Sequence, residues 1–353
     1  MNNLLTEQQS IKDLPEFDKH AFISFIYDHK TGMEGFIVIH RKNHALPSFG
    51  ATRLWHYDSH IDALKDALRL SKMMSYKAAL AGLKCGGAKA VIMQPKELKD
   101  HKPFLKAYAE RMNFIKDQFV TGTDVGLTQK DLSIMKEETS NIVGFNDNST
   151  EFTALGLYYS IKRCLGEVFE DEEIQGRTFA IQGLGKVGSE LLKLIYKDAR
   201  KIYVSDIDSE RVKEIKRQYP NVVSVQPEDI HKQKVDIFSP CALSQSLNSH
   251  SINELKCSII VGGANNQLEH EGIGSLLYKL GILYAPDYVV NAGGLIAIFD
   301  EYEHKQYDKK RVGEKVMRIK NVLSKILIES DKKRKATNLI ANEMAEQVFS
   351  KYE

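Results

Sequence analysis

A glycine triplet in the second half of the chain constrains the fold more than any other feature. The segment Gly183-Leu-Gly185-Lys-Val-Gly188 follows an apolar run that ends at Gln182, and Asp206 closes the next apolar run, 18 residues after Gly188. Strand, glycine turn, helix, strand and terminal acid in this order are typical of a βαβ unit with parallel strands. The glycines admit a pyrophosphate to the helix N-terminus, and the acid binds the ribose hydroxyls. We therefore predict a dinucleotide site.

The residues around Asp206 also indicate which dinucleotide is preferred. Asp208 lies nearby, and no Arg follows Asp206 immediately. The acid would repel a 2′-phosphate, so we expect NAD rather than NADP.

The pattern around this unit predicts the fold class, which is α/β. From about residue 150, strand-like apolar runs alternate with helical patterns, as in a mostly parallel, doubly wound sheet of the Rossmann type. We expect an N-terminal α/β substrate-binding and catalytic domain at 1–149 and a Rossmann dinucleotide-binding domain at 150–324. Apolar residues at heptad-like spacing in the tail predict that the C-terminal helices, 325–353, pack back on the first domain or against another subunit.

Ligands of open α/β sheets bind beyond the carboxyl ends of the strands. Several predicted strand ends carry glycine, asparagine or small residues, although asparagine-glycine turns are also ordinary loop chemistry. The candidate cofactor-binding residues at these ends are Gly183, Gly185, Lys186, Val187, Gly188, Asp206, Cys241, Ala242, Asn265 and Asn291, and Asn266 is a candidate for binding substrate.

Two lysines lie inside the otherwise apolar, glycine-punctuated stretch 75–92. Lys77 ends a helical pattern, and Lys89 opens a buried-strand pattern after two glycines. A buried ammonium is costly unless it is paired, so each either binds an anion or loses its proton. Two close lysines lower each other's pKa, which makes a lysine a base near neutral pH. Two snorkelling lysines with solvated heads are the alternative that this stretch alone leaves open.

Three more residues in the first half lie at strand-like ends or edges. Asp124, next to glycines, either relays protons and pairs with Lys89 or caps the following helix. Gly50 marks a place where backbone can approach a ligand closely. Arg53 either binds a carboxylate or is a structural residue of a sheet edge.

Composition narrows the partners. The chain has 49 basic and 47 acidic residues, well interspersed, with a net charge of +2, so nothing suggests nucleic acid or an anionic membrane. We find neither a leader pattern at the N-terminus nor an apolar run of about 18 residues. The cysteines Cys85, Cys164, Cys241 and Cys257 are scattered, which fits reduced thiols in a cytoplasm and offers no metal-ligand spacing.

Taken together, these segments resemble the amino acid dehydrogenases of the glutamate, leucine, phenylalanine and valine dehydrogenase superfamily. The resemblance runs from about residue 20 to the end and is closest to the leucine, phenylalanine and tryptophan branch. The family's carboxylate-binding lysine falls on Lys77 in Met74-Ser-Tyr-Lys77, its catalytic lysine on Lys89, and the aspartate of its Asp-Val-Gly segment on Asp124. Its nicotinamide-side threonine falls on Thr153.

This sequence departs from the family pattern at two places. Ala88 replaces the third glycine before Lys89 and adds a Cβ beside the catalytic group. Glu151-Phe152 stands where the family often has Ser-Pro before the threonine. Neither departure removes a catalytic side chain.

The resemblance also places a side-chain pocket on Phe49, Gly122, Leu295 and Ile298, none of which is charged. Glutamate dehydrogenases use a lysine and a serine where Phe49 and Ile298 stand, so glutamate is disfavoured. The residues Gly122 and Leu295 resemble those of family members that prefer aromatic substrates. Phe49, in contrast, fills space and would make the pocket smaller. A methylene in an apolar pocket contributes only about 1–3 kcal/mol, so the sequence leaves the choice between branched and aromatic substrates open.

The resemblance implies NAD-dependent, reversible oxidative deamination of an apolar L-amino acid, most simply of the leucine dehydrogenase type, with phenylalanine or tryptophan dehydrogenase as the alternative. In this scheme Lys77 holds the carboxylate, Lys89 activates water while its pKa is lowered by Lys77 and burial, and Asp124 shuttles a proton. The resemblance also implies a homo-oligomer, dimer or octamer. Two other classes stay open: a hydroxy-acid dehydrogenase, for which none of the eleven histidines lies at a comparable strand end, and a non-catalytic NAD-binding regulatory protein.

Overall fold

The computed structural model describes residues 10–42, 46–98, 100–145, 149–242 and 245–351. The chain divides into two compact units. The first comprises Met1–Asp147 with Gln347–Glu353, and the second comprises Asn148–Glu346. The predicted domain boundary, between 149 and 150, lies close to this division, and the division itself lies among residues 146–148, outside the described part.

The first unit is built on a mixed sheet with strand order β1-β2-β5-β3-β6, in which β4 also pairs with β5. β1 and β2 form an antiparallel hairpin, and β2 is also antiparallel to β5, whereas β3 and β4 run parallel to β5. The strands are β1 Phe22–Asp28, β2 Met33–Arg41, β3 Ser48–Phe49, β4 Thr52–Trp55, β5 Gly87–Met93 and β6 Phe119–Val120.

Helices cover both faces of this sheet. Apolar residues of β2 alternate between the two sides, so that Ile37 and Ile39 join one hydrophobic cluster and Phe36 and Val38 join the other. The helices are α1 His60–Leu80, α2 His101–Met112 and α3 Gln129–Lys136. α1 lies on the Val38 side, and α2 and α3 lie on the Ile37 side.

The second unit confirms the predicted doubly wound sheet. Its strands run in the order β12-β11-β10-β7-β8-β9, and every pairing is parallel. The strands are β7 Thr178–Gln182, β8 Lys201–Ser205, β9 Val223–Ser224, β10 Val235–Pro240, β11 Cys257–Ile260 and β12 Leu283–Tyr284. The helices are α4 Ser149–Phe169, α5 Lys186–Ile195, α6 Ser209–Gln218, α7 Glu271–Lys279, α8 Asp287–Val290, α9 Gly293–His304, α10 Lys309–Lys333 and α11 Thr337–Phe349.

The C-terminal helices differ from the prediction that 325–353 completes the first domain. Only the segment from Gln347 onward belongs to the first unit, where the Phe349 ring lies 6.1 Å from the His40 ring. Residues 325–346 pack within the second unit instead. The Asn338 side chain donates to the backbone carbonyl of Glu271 at 3.1 Å, and the Tyr288 hydroxyl contacts Asn342 at 2.5 Å. These polar partners on α7 and α8 hold the helix there.

Within the described residues, no helix combines the length and the apolar composition that a bilayer span requires.

Candidate active site and nucleotide site

Lys89 owes its position to the glycines before it. A Cβ at Gly87 would lie 2.0 Å from the backbone nitrogen of Ser75, so only glycine lets α1 pack this closely on β5. Ala88 and Ala90 belong to the cluster under α2 and α3, whereas Val91 belongs to the cluster under α1. Because strand side chains alternate, Lys89 points to the α1 side and the Ala88 methyl to the other. The Cβ of Ala88 therefore does not crowd the lysine.

Lys89 pairs with Asp124. Its Nζ donates to Asp124 Oδ2 at 2.7 Å, and the two side chains are 5% and 18% exposed. Burial lowers the pKa of Lys89, and Asp124 opposes this effect. Burial alone would raise the pKa of Asp124, but Lys89 and Arg53 hold it well below its usual range. The structure thus places the two predicted catalytic residues in one buried ion pair, as the sequence suggested.

Arg53 is the second cation at this pair. Its Nε donates to the same Asp124 oxygen at 2.9 Å, and its Nη1 donates to Asp66 Oδ2 at 2.8 Å. Both carboxylates belong to the protein itself, which agrees with the structural alternative for Arg53. The positive charge of Arg53 contributes, after burial, to lowering the pKa of Lys89. The contribution of Lys77 to this shift remains a prediction.

Lys77 lies half-buried in the last turn of α1. That helix contacts β5, so the two elements that carry the lysines are in direct contact. The role of Lys77 as the carboxylate ligand remains a prediction.

The other predicted substrate residues of this unit lie on β3 or shortly after β3 and β6. Phe49 is 1% exposed and lies between β5 and β6. A Cβ at Gly50 would lie 2.0 Å from the Ala88 carbonyl oxygen, so packing alone already requires this glycine. A Cβ at Gly122 would meet only the Val143 carbonyl oxygen, at 3.3 Å, which leaves room on that side.

In the second unit, the glycine turn after β7 has the expected geometry. Gly183 has φ +92°, in the left-handed region that favours glycine, and a Cβ there would lie 2.7 Å from the Cβ of Ala242. A Cβ at Gly188 would lie 2.0 Å from the Gly183 carbonyl oxygen, which lets α5 pack against the turn. At Gly185, the N-cap of α5, a Cβ would meet nothing within 4 Å. The space that a bound phosphate requires is open.

Asp206 follows β8 and faces this turn. Its Oδ2 accepts from the backbone N–H of Leu184 at 2.7 Å, and its Oδ1 accepts from that of Asp208 at 2.9 Å. Burial raises the pKa of Asp206, but these two donors and Arg211 lower it overall. Arg211, five residues on, contacts Asp206 at 3.3 Å. No Arg follows Asp206 directly in the sequence, but Arg211 lies beside it in the structure.

The remaining cofactor candidates lie at the ends of β10 and β11 and nearby. The backbone N–H of Cys241 donates to the Gln182 carbonyl at 2.7 Å, and burial raises the pKa of its thiol to about 11, which favours the neutral thiol. The Asn291 side chain donates to Asn265 Oδ1 at 3.0 Å. A Cβ at Gly263 would lie 2.5 Å from Val187.

Asn266 and Lys186 complete this edge of the sheet. Asn266 has φ +52°, and its carbonyl accepts from the backbone N–H of Gln245 at 2.7 Å. Lys186 is the first residue of α5 and is exposed.

Thr153, Leu295 and Ile298 lie on two helices that contact each other, α4 and α9. The Thr153 hydroxyl donates to the Ser149 carbonyl at 2.8 Å, and a Cβ at Gly294 would lie 2.8 Å from Thr153 Oγ1. Leu295 and the less buried Ile298 are three residues apart on α9, so they share one face.

The second unit fits a nicotinamide dinucleotide in chemical terms. Gln182 Oε1, Ser205 Oγ and Asn291 Oδ1 are buried and have no hydrogen-bond partner among the described residues. Such atoms are available to the amide and hydroxyl groups of a cofactor. Residues 10–42, 46–98, 100–145, 149–242 and 245–351 contain no group of His, Cys, Asp or Glu side chains that could hold a metal ion.

Asp66 is the site residue that the sequence analysis missed. It lies on α1, with its side chain 15% exposed, and accepts hydrogen bonds from Arg53, Tyr57 and Arg69. Its sequence neighbourhood is an ordinary amphipathic helix, in which an acid usually indicates a solvated face. Only the tertiary contact with Arg53 distinguishes it.

Comparison with known proteins agrees with this geometry. A family model described as Glu/Leu/Phe/Val dehydrogenase, dimerisation domain, matches residues 18–141, and that of Glutamate/Leucine/Phenylalanine/Valine dehydrogenase matches residues 144–349. L-tryptophan dehydrogenase of Nostoc punctiforme is 39% identical over 335 residues, which cover 94% of this chain and 94% of that protein. Leucine dehydrogenase of Bacillus cereus is 35% identical over 340 residues, covering 95% and 92%. The crystal structure of the Nostoc punctiforme L-tryptophan dehydrogenase aligns with a TM-score of 0.82 at 36% identity and covers 94% of this chain and 96% of that one.

Proposed function

Because the chain belongs to the Glu/Leu/Phe/Val dehydrogenase family, we propose that it catalyses the reversible, NAD-dependent oxidative deamination of an apolar L-amino acid to its 2-oxo acid and ammonia. The chain is an oxidoreductase of the amino acid dehydrogenase class. The observation that carries the proposed mechanism is the buried Lys89–Asp124 pair, with its 2.7 Å contact.

The proposed chemistry assigns the proton transfers to Lys89. A bound nicotinamide would supply the hydride acceptor, and loss of the hydride from Cα converts the substrate amine to an imine. Neutral Lys89 then removes a proton from the water that attacks the imine carbon, and the resulting ammonium polarises the developing oxygen. As the adduct collapses, its hydroxyl loses a proton and its amine gains one, so that the C–N bond breaks and ammonia and the 2-oxo acid are released. Lys77 orients the substrate by its carboxylate, which is catalysis by positioning.

Cofactor preference is the second part of the proposal. Asp206 is held next to the glycine turn by two backbone N–H groups, where it accepts ribose hydroxyls and repels a 2′-phosphate. Gly183, Gly185 and Gly188 hold the pyrophosphate, and Thr153, Asn265 and Asn291 hold the nicotinamide side. NAD is therefore the proposed cofactor.

For the substrate, we propose a branched-chain side chain such as that of leucine, with an aromatic one as the alternative. The buried Phe49 reduces the available volume and favours the branched chain, whereas the open space at Gly122 favours the aromatic one. Leu295 and Ile298, on α9 of the second unit, are apolar as well. No cation stands at Phe49 or Ile298 to hold the second carboxylate of glutamate.

We also propose a cytoplasmic homo-oligomer, either a dimer or an octamer. The match of residues 18–141 to a dimerisation-domain model supports assembly, and the edge strand β1 exposes half of Phe25 and Tyr27. The four cysteines are free, which supports a reducing compartment. Light scattering on the purified protein measures the assembly, and a monomer at micromolar concentration would contradict it.

The decisive experiment measures NADH oxidation with ammonia and 4-methyl-2-oxopentanoate, 3-methyl-2-oxobutanoate, phenylpyruvate, indolepyruvate or 2-oxoglutarate. We expect turnover with a branched-chain or aromatic oxo acid and weaker turnover with NADPH. Activity with 2-oxoglutarate alone would refute the assignment of an apolar side-chain pocket. NADH binding without turnover of any of these oxo acids would favour the alternative of a non-catalytic NAD-binding protein.

A lysine variant tests the mechanism in the same assay. We expect Lys89→Met to lower kcat by about 10²–10⁴-fold, the usual contribution of general acid–base catalysis, without weakening NADH binding. Lys84→Met is the matched control, because Lys84 lies in the same stretch but is exposed. Normal turnover of Lys89→Met would exclude Lys89 as the base.

A further inference from the structure

Arg53 links the Lys89–Asp124 pair to α1. It lies on β4, and its guanidinium uses two different nitrogens for two carboxylates: Nε donates to Asp124 at 2.9 Å, and Nη1 donates to Asp66 at 2.8 Å. The planar guanidinium fixes the angle between these two hydrogen bonds. The position of the Asp124 carboxylate is therefore tied to that of Asp66.

Asp66 is itself held from three sides. The Tyr57 hydroxyl donates to its Oδ2 at 2.7 Å, and Arg69 donates to its Oδ1 at 2.6 Å, in addition to the contact with Arg53. A carboxylate with three donors has little rotational freedom. Asp66 is thus a fixed point on which Arg53 is oriented.

At the other end, Lys89 and Arg53 donate to the same oxygen of Asp124, Oδ2. Two cations at 2.7 and 2.9 Å from one oxygen fix the plane of the carboxylate more firmly than either alone. They also bring two positive charges close together in a buried place. Arg53 therefore affects both the geometry of the pair and the charge that Lys89 experiences.

We propose that Arg53 and Asp66 are positioning residues of the active site: Arg53 holds the Asp124 carboxylate against Lys89, and Asp66 holds Arg53. This inference rests on the proposed function, in which Lys89 is the base. Neither residue is required to touch substrate. Their effect reaches the reaction through Lys89.

The pH dependence distinguishes this role from a merely structural one. The charged groups that act on Lys89 come from β4 (Arg53), from the segment after β6 (Asp124) and from α1 (Asp66, which Arg69 and Tyr57 contact). Lys77 is a further cation on α1. After burial, Asp124 raises the pKa of Lys89, Arg53 lowers it, and Asp66 raises it. Removing Arg53 or Asp66 therefore moves the deprotonation of Lys89 in opposite directions.

The test uses Arg53→Met and Asp66→Asn in the full chain. Oxidative deamination requires neutral Lys89, so the acidic limb of kcat/KM against pH follows its proton loss. We expect the limb to move to higher pH in Arg53→Met, by about one pH unit, and to lower pH in Asp66→Asn. Arg53→Lys keeps the charge but replaces the planar guanidinium, which reaches the two carboxylates with separate nitrogens, by a single nitrogen on a flexible chain. The limb therefore stays near that of the wild type while kcat falls about 10- to 100-fold.

Arg111→Met is the matched control. Arg111 forms a 2.7 Å pair with Asp28 in the same unit, but its charge is not among those that act on Lys89. We expect its pH profile to coincide with that of the wild type. A shift as large as that of Arg53→Met would mean that any lost ion pair disturbs the site, and would overturn the inference.

A second measurement is independent of turnover. The ¹³Cε resonance of labelled Lys89, assigned with Lys89→Met, reports its titration in the folded protein. Opposite shifts in Arg53→Met and Asp66→Asn would support the positioning role even if the proposed substrates were wrong. Unchanged titration, or shifts in the same direction, would overturn it even in an active enzyme. If Arg53→Met does not fold, Arg53→Lys and Asp66→Asn supply the comparison.

Discussion

Replacing Asp124 with Asn tests the buried ion pair most directly. The change keeps the shape of the side chain and removes the charge that Lys89 contacts at 2.7 Å. Removing one partner of a buried pair costs about 3–5 kcal/mol of the free energy of unfolding. Lys89 can limit this cost by releasing its proton. At pH 7, which is ~3.4 units below the ordinary pKa of lysine, releasing the proton costs about 1.36 kcal/mol per unit, or about 4.6 kcal/mol in total. We therefore expect a loss of about 3–5 kcal/mol at pH 7.

The sign of the pH dependence follows from proton uptake on unfolding. In Asp124→Asn, Lys89 is neutral in the folded state but protonated in the unfolded chain below about pH 10.4. The stability of the variant therefore rises with pH by up to about 1.36 kcal/mol per unit. The wild type rises less steeply, because Asp124 raises the pKa of Lys89 against the effect of burial. The deficit of the variant should shrink from pH 7 toward pH 10.

The chain offers a built-in probe for this measurement. Its single tryptophan, Trp55, lies on β4 of the same unit, two residues after Arg53, so its fluorescence follows unfolding of that unit in urea. The double variant Lys89→Met/Asp124→Asn is the control, because without the lysine the extra pH dependence disappears. A deficit of Asp124→Asn that stays constant from pH 7 to 10 would refute the ion-pair argument.

Three further predictions use the same assays. Ala88→Gly should lower the free energy of unfolding by about 1.5 kcal/mol, because it removes a buried methyl (about 0.8 kcal/mol) and increases the backbone entropy of the unfolded chain. The kcat should not change. A large gain in kcat would mean that the methyl crowds Lys89. Burial lowers the pKa of His40 to about 4, against the hydrogen bond to Asp18. The unfolded chain binds this proton near pH 6.5, so stability should fall by up to about 3 kcal/mol as the pH drops from 6.5 to 4; His40→Gln, measured in urea, should lose this slope. Asp206→Ser should raise the ratio of NADPH to NADH activity about tenfold or more, because it removes the repelling carboxylate and leaves Arg211, which still pairs with Asp208, one carboxylate fewer. A charged hydrogen bond from Arg211 to a 2′-phosphate would contribute about 1.5–3 kcal/mol. An unchanged ratio would contradict this role of Asp206.

Local patterns were sufficient to predict much of the fold. The βαβ unit around Gly183 and the parallel sheet that contains it follow from apolar runs, glycine turns and helical spacing, all of which act over a few residues. The packing of the tail was not predictable in this way. Residues 325–346 have an apolar face, but the choice of the second unit depends on single polar contacts, such as that of Asn338 with Glu271.

The same distinction between local sequence patterns and contacts made only in the folded chain applies to the candidate site. Lys89 and the dinucleotide glycines were predictable because each lies in a short motif whose chemistry restricts the residue types. The Arg53–Asp66 contact joins residues 13 apart, and the Arg53–Asp124 contact joins residues 71 apart. No spacing rule links them. The sequence could indicate that a buried lysine needs a neighbouring charge, but not which neighbour supplies it.

The same contacts determine which member of the pair moves protons. Asp124 accepts from two cations on one oxygen, and its pKa lies well below the usual range, chiefly because Lys89 and Arg53 outweigh burial. With both contacts in place it therefore stays ionised, and it can take up a proton only after one of them is lost. Lys89 is in the opposite situation, because burial favours its neutral form. The adjustable proton thus belongs to Lys89, and the shuttle role predicted for Asp124 requires a substrate that first displaces a cation from Oδ2.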